Sequence, residues 1–165
     1  MSPLVFVAVG AYVIGCILGA YYIVRLRTGV DVRTTGSGNA GARNVMRSGD
    51  TVSGVLTYVF DTVKGALAVY AATRITTDAW APGVAFLFVI VGHIWPAQLG
   101  FRGGRGVAPA TGSTLVLALL ARSWPSVAAA AIAWALVAFA HQPAFERHRN
   151  SLRRRRLTPT RENGS

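Results

Sequence analysis

The chain is built from long apolar runs separated by short polar stretches. Five apolar runs cover residues 3–24, 51–73, 80–96, 107–121 and 124–140. A bilayer core of ~30 Å needs about 20 helical residues to cross it, and several of the runs approach that length. Because a helix satisfies its own backbone hydrogen bonds in lipid, the pattern predicts an all-α, polytopic membrane helix bundle with about five transmembrane helices.

Composition and charge support a membrane protein. Apolar residues make up 52% and charged residues 14% of the 165 positions, and the net charge is +11. The charges lie between the apolar runs and in the tail, which indicates anionic headgroups or phosphorylated molecules as partners, and no nucleic acid. The single cysteine, Cys16, excludes an intramolecular disulfide and a four-ligand zinc site, so we expect no metal and no cofactor.

Two polar stretches are rich in glycine and arginine, and we call them the first glycine loop (34–50) and the second glycine loop (97–107). In the first, Arg43 and Arg47 stand four residues apart, so a short helix would place both guanidinium groups on one face towards phosphate oxygens. The second leads directly into an apolar helix, whose N-terminal N–H groups suit an anion. The alternatives are a flexible linker for the first loop and an ordinary basic turn for the second.

Arginines are concentrated on alternate sides of the predicted crossings. The positive-inside rule therefore predicts an external N-terminus, with both glycine loops and the C-terminus in the cytoplasm. We expect a single transmembrane bundle at 1–146 and a basic cytoplasmic tail at 147–165. On this topology the polar segments meet on one face of the membrane.

Asp61 and Lys64 are charged residues inside the second apolar run. Such groups are unfavourable in lipid by roughly 2.5–3.5 kcal/mol each, so they are expected to face the bundle interior and to pair. We favour a structural ion pair over a direct catalytic role. His93 is interpreted as a structural histidine at a helix end, with a general base as the alternative.

Four motifs occur in order along the chain: G-S-G-N-x-G-A-x-N-V-x-R at 36–47, D-x-x-K-G at 61–65, G-H-x-x-P at 92–96 and F-R-G-G-R-G-V-A at 101–108. Together they closely resemble the bacterial acyl-phosphate:glycerol-3-phosphate acyltransferases, the PlsY family, over about residues 1–115. The resemblance implies an enzyme of the cell membrane that transfers an acyl group from acyl phosphate to glycerol 3-phosphate. The product would be lysophosphatidic acid, made for phospholipid biosynthesis.

The resemblance also implies roles for individual residues. Arg47 and Arg105 resemble the phosphate clamps, and His148 with Asn150 resembles a C-terminal motif, which together form the catalytic set. The predicted substrate-binding residues are Ser37, Gly38, Asn39, Gly41, Asn44, Arg43, Arg102, Gly103 and Gly104.

Several positions depart from the family pattern. Arg43 and Pro109 stand where threonine is usual, while Arg102 and Arg105 replace lysines. The last two changes keep the charge but exchange a compact ammonium for a planar fork.

The C-terminal part departs further. One residue instead of two separates His148 from Asn150, and the five predicted crossings are two fewer than the family's seven. An alternative is therefore a catalytically inactive, shortened paralogue that binds acyl phosphate or anionic lipid. A small transporter for a phosphorylated solute fits Asp61 and Lys64, but no inverted repeat is visible.

Overall fold

A computed structural model describes residues 2–120 and 124–141, and the part it describes is helical without strands. The predicted tail at 147–165, with His148 and Asn150, lies outside the described residues. The helices are α1 (Pro3–Cys16), α2 (Gly19–Thr28), α3 (Ala42–Arg47), α4 (Thr51–Ile75), α5 (Ala81–Ile94), α6 (Val107–Leu120) and α7 (Trp124–Ala140), and short 3₁₀ turns cover Val32–Thr34 and Ala97–Leu99.

Three segments are long and apolar enough to cross a membrane: Pro3–Thr28, Thr51–Ile75 and Ala81–Leu99. Helices α6 and α7 are also apolar but shorter, with 14 and 17 residues. The predicted all-α membrane bundle is thus confirmed, and its helix bounds agree to within a few residues except in the first run. The domain boundary and the membrane orientation stay predictions.

The first apolar run is one candidate span, Pro3–Thr28, but its helix is interrupted. The helix stops at Cys16, and Ile17 and Leu18 adopt extended backbone angles before α2 starts at Gly19. Helix α2 then continues to Thr28 and ends at Gly29, whose φ of 73° closes the helix in the left-handed conformation that glycine tolerates. Hydropathy cannot reveal the break, because the groups that it exposes find polar partners on other helices.

Helix α5 lies at the centre of the bundle and packs against α1, α4 and α7. Its Phe86, Val89 and Ile90 are completely buried in the main apolar core. Close approach of α1 and α5 depends on small residues, because a Cβ at Gly15 would collide with the backbone oxygen of Val89. The core thus fixes the position of α5, and the second glycine loop follows the C-terminal end of this helix.

Gly15 and Gly19, which are spaced as G-x-x-x-G, contact different helices. Gly15 lies against α5, whereas Gly19 lies against Phe60 and the backbone of Thr57 on α4. The helix break between them turns the two glycines to separate neighbours, so they do not form one continuous interface.

Candidate active site

The first glycine loop is held by the side chain of Asn44, which is 3% exposed. Its amide oxygen accepts hydrogen bonds from the backbone N and the Oγ of Ser37 at 2.8 and 3.0 Å. Its amide nitrogen donates to the carbonyls of Val32 and Thr35 at 3.2 and 3.1 Å. Both amide hydrogens are therefore used inside the loop, and Asn44 shapes the loop instead of offering a donor to a ligand.

Two glycines allow the backbone of this loop to make a tight turn. Gly36 and Gly38 have φ of 52° and 71°, in the left-handed region that side chains with a Cβ rarely adopt. A Cβ at Gly36 would in addition collide with Oδ1 of Asn44. The backbone of 36–38 can therefore wrap closely around the Asn44 amide.

Asn39 and Gly41 lead from this turn into α3. Asn39 is 7% exposed, and a Cβ on Gly41 would lie 2.7 Å from its side-chain nitrogen. Gly41 is the N-cap residue of α3, the short helix that carries Arg43 and Arg47. Both arginines are exposed, as the sequence prediction requires for ligand binding.

The second glycine loop folds back onto the end of α5. The N–H of Gly103 donates to the carbonyl of Ile94 at 3.1 Å, and that of Gly104 donates to the carbonyl of His93 at 3.0 Å. Both glycines are buried. A Cβ at either position would collide with His93, with its backbone oxygen from position 103 and with its ring from position 104.

The two loops lie against each other, although α4 and α5 separate them in sequence. The N–H of Ala40 donates to the carbonyl of Gly103 at 3.4 Å. Nearby, Nη1 of Arg33 donates to the carbonyl of Leu99 at 2.8 Å. These bonds join the glycine turn that precedes α3 to the glycines that precede α6.

An ion pair keeps Arg33 in place for this contact. Its guanidinium donates to both carboxylate oxygens of Asp31, with Nη2 at 2.7 Å from Oδ2, and it lies 5.0 Å from the ring centroid of Tyr21. The hydrogen bonds from Arg33 lower the pKa of Asp31 below its ordinary value, against the opposing effect of burial. Arg33 therefore connects the two loops, and its charge is already neutralised by Asp31.

Other arginines are available at the surface of the joined loops. Within residues 2–120, no salt bridge joins Arg43, Arg47 or Arg102 to an acidic side chain. Arg105 is half-buried and is followed by Gly106, whose φ of 83° turns the chain into α6. A cationic surface at loops rich in backbone N–H groups can bind a phosphorylated ligand.

A buried polar cluster lies beneath the second loop. Nζ of Lys64 is 2.9 Å from Oδ1 of Asp61 and 3.0 Å from Nδ1 of His93. All three side chains are at most 5% exposed. The pairing of Asp61 with Lys64 follows their i, i+3 spacing, whereas sequence reasoning missed that His93 joins them, since no pattern links 64 to 93.

The remaining predicted site residues, His148 and Asn150, lie outside the described ranges, and their roles stay predictions. In the part of the chain that the structure covers, no group of three His, Cys, Asp or Glu side chains could hold a metal ion.

Fold and site together define a polytopic helical membrane protein in which two glycine- and arginine-rich loops lie against each other. A family model described as "Glycerol-3-phosphate acyltransferase" matches residues 5–144, which is most of the chain. The protein belongs to the glycerol-3-phosphate acyltransferase family.

Individual relatives agree with this assignment. A glycerol-3-phosphate acyltransferase of Clostridioides difficile is 42% identical over 118 residues, covering 68% of this chain and 58% of the relative. One from Hahella chejuensis is 40% identical over 129 residues, covering 78% of this chain and 64% of the relative. The chain therefore spans less than two thirds of the length of these curated relatives.

Among solved structures, the chain is similar to PlsY, described as an integral membrane glycerol 3-phosphate acyltransferase, in its glycerol 3-phosphate form. The TM-score is 0.73 with 25% identity, and the match covers 91% of this chain and 94% of the other. The lysophosphatidic acid form of PlsY matches in fold with a TM-score of 0.71.

Proposed function

We propose that the chain transfers an acyl group from acyl phosphate to glycerol 3-phosphate and so forms lysophosphatidic acid for phospholipid biosynthesis in the cell membrane. The observation that carries the proposal is the contact between the loops, where the Ala40 N–H donates to the Gly103 carbonyl. A reaction between two phosphorylated molecules needs two anion-binding elements side by side. The glycerol-3-phosphate acyltransferase family supports the acceptor, and the motif resemblance supports the donor.

The chemistry requires little beyond positioning and charge. The acceptor hydroxyl attacks the acyl carbonyl carbon, the bond from that carbon to the phosphate oxygen breaks, and inorganic phosphate leaves. Arg47 and Arg105 stabilise the charge that grows on this phosphate, an effect worth about 2.7–4 kcal/mol for one well-placed donor. Since acyl phosphate is already activated, alignment of the two substrates suffices without a covalent intermediate.

The proton of the hydroxyl passes either to the phosphate of the acceptor or to His148. His93 is not used as a base in this scheme, because its Nδ1 faces Lys64 and its ring is buried against Gly104. The loops and the tail lie on the cytoplasmic side, as the distribution of arginines favours.

The direct test is an assay of the purified protein with palmitoyl phosphate and glycerol 3-phosphate, with palmitoyl-coenzyme A as the control donor. We expect lysophosphatidate from the acyl phosphate alone. Product from the coenzyme A ester at an equal rate would refute the proposed donor.

Arginine variants test the clamps in the same assay. Arg47→Ala and Arg105→Ala are each expected to lower kcat about 100-fold or more, the effect typical of losing one donor to a developing oxyanion. Arg74→Ala is the matched control, because Arg74 is exposed in the last turn of α4, away from the helix end that follows the first glycine loop. Unchanged turnover in both clamp variants would remove their assigned role.

The second candidate is a shortened paralogue that binds acyl phosphate or anionic lipid without turnover. It is favoured by the second glycine loop and the start of α6, where Arg102, Arg105 and Pro109 depart from the family pattern. Saturable binding of radiolabelled glycerol 3-phosphate or of palmitoyl phosphate, with no product, would support this candidate over the enzyme.

A further inference from the structure

The proposed chemistry does not use the polar cluster of Asp61, Lys64 and His93. Placing each charged group inside a membrane helix is unfavourable. A buried ion pair is often no more stabilising than apolar residues of the same volume. The cluster therefore calls for a role beyond stability, and its neighbours indicate one.

The ion pair binds both sides of the break between α1 and α2. Nζ of Lys64 is 3.0 Å from the carbonyl oxygen of Gly15 and 2.7 Å from that of Ile17. Oδ1 of Asp61 accepts a hydrogen bond from the N–H of Gly19 at 3.2 Å. A cation thus lies at the C-terminal end of α1 and an anion at the N-terminal end of α2, each matching the helix dipole.

The same ammonium orients His93. An ammonium donates only, so Nδ1 of His93, 3.0 Å away, can only accept; it shares the three hydrogens of Lys64 with the two carbonyl oxygens and with Oδ1 of Asp61. The ring is then neutral and carries its hydrogen on Nε2. That edge of the ring faces Gly104, and a Cβ there would overlap it.

From His93 the contacts continue into the loops. Its carbonyl oxygen accepts the hydrogen bond from Gly104, and the neighbouring Gly103 accepts from Ala40 in the first glycine loop. A continuous series of polar and close contacts therefore connects the α1–α2 break to the junction of the loops.

We propose that Lys64 and His93 are positioning residues: Lys64, anchored at the helix break, holds the His93 ring in the position where Gly104 packs against it, and this sets the second glycine loop against the first. The kinetic part of this inference rests on the proposed acyltransferase function, whereas the structural part does not.

A matched pair of variants isolates the hydrogen bond from Lys64. Asn and Leu are similar in shape, and both remove the outer half of the imidazole, but only Asn keeps an acceptor near the position of Nδ1. Neither change touches Asp61 or Lys64, so the ion pair and the helix break are retained. A difference between His93→Asn and His93→Leu therefore reports the acceptor and not the lost packing.

Hydrogen–deuterium exchange of the detergent-purified full chain measures the structural part. We expect amides in 100–106 to exchange about tenfold faster in His93→Leu than in His93→Asn, while amides in 84–90 of α5 stay equally protected in both. Wild-type exchange of 100–106 in both variants would overturn the inference, because both lack the half of the ring that Gly104 contacts and the loop would then not depend on it.

Steady-state kinetics measure the functional part. We expect kcat to be about 10- to 100-fold lower in His93→Leu than in His93→Asn, with KM for glycerol 3-phosphate changed less than about threefold, since misplaced groups weaken the transition state more than binding. Wild-type kcat values in both variants would contradict positioning for catalysis. An inactive wild type would reject the proposed function, while the exchange experiment would still decide the positioning of the loop.

Discussion

At the scale of single residues, the side chain of Asn44 organises the first glycine loop through four hydrogen bonds. The motif resemblance assigns Asn44 to the headgroup cradle, and the structure shows its amide occupied by the loop itself. A sequence motif records that an amide is needed at a position. It does not record whether the amide contacts the ligand or the backbone that contacts the ligand.

Asn44→Asp tests this organising role. The new carboxylate keeps one acceptor for Ser37 but places its second oxygen against the carbonyls of Val32 and Thr35, which lose their donor. Leaving buried polar groups unsatisfied is unfavourable by about 1–3 kcal/mol each. We expect faster deuterium exchange in 32–38 and a lower thermal midpoint, and both effects should be as large as in Asn44→Ala. Wild-type protection in Asn44→Asp would show that the two donated bonds are dispensable.

Gly104→Ala tests the contact between the second loop and His93. The added methyl group overlaps the ring, so the loop must shift, and we expect kcat/KM in the palmitoyl phosphate assay to fall about 10- to 100-fold. The loss should be smaller when Gly104→Ala is introduced into His93→Asn, which lacks the overlapping atoms. Losses that add independently would indicate that the two positions do not contact each other.

At the scale of elements, the sequence predicts most helices because their signals are local. The long apolar run of α4 and the cap that Asp50 gives to the N–H of Ser53 at 2.9 Å are visible in the residues themselves. The break at Ile17 and Leu18 is not visible, because it depends on charges 40 or more positions away on α4. Tertiary contacts override local preference at this point.

Gly15→Ala tests the close crossing of α1 and α5. A Cβ there collides with the Val89 backbone, so the helices must separate, which is expected to destabilise the protein by about 1–3 kcal/mol. Gly10→Ala on the same helix is the control: nothing lies within 4 Å of its Cβ position, and alanine is the better helix former. The thermal midpoint in detergent should fall for Gly15→Ala alone. An equal midpoint in the two variants would contradict the crossing.

The ion pair of Arg33 with Asp31, which supports the contact between the loops, predicts a dependence of stability on pH. Hydrogen bonds from Arg33 lower the pKa of Asp31 in the folded protein. Because the pKa of Asp31 is lower in the folded protein than in the unfolded chain, its ion pair stabilises the fold fully at pH values above the ordinary carboxyl pKa of about 3.9. This stabilisation is lost as the pH falls below that value and through the pKa of Asp31 in the folded protein.

We therefore expect the wild type to exceed Asp31→Asn in thermal midpoint by a constant amount between about pH 5 and 7. The difference should shrink below about pH 4. A difference that grows on acidification would have the wrong sign for this ion pair.

At the scale of the whole molecule, the order of the motifs predicts the family and the apolar runs predict the helix bundle. The family model and the solved structure of PlsY confirm both predictions. Contact between the glycine loops follows from a topology that places both on one membrane face, and the Ala40–Gly103 hydrogen bond agrees with it. The position at which the two glycine loops contact each other could not be predicted, because it depends on the packing of α5 and on the position of the His93 ring.

The central claim is that this chain turns over two phosphorylated substrates and does not only bind them. The most direct measurement is growth of a bacterial strain that lacks its own glycerol-3-phosphate acyltransferase, after expression of the wild type or of Arg105→Ala at equal membrane levels. The account predicts that the wild type restores growth and that Arg105→Ala does not. A wild type that is present in the membrane without restoring growth, or an Arg105→Ala variant that restores it equally, would contradict the account.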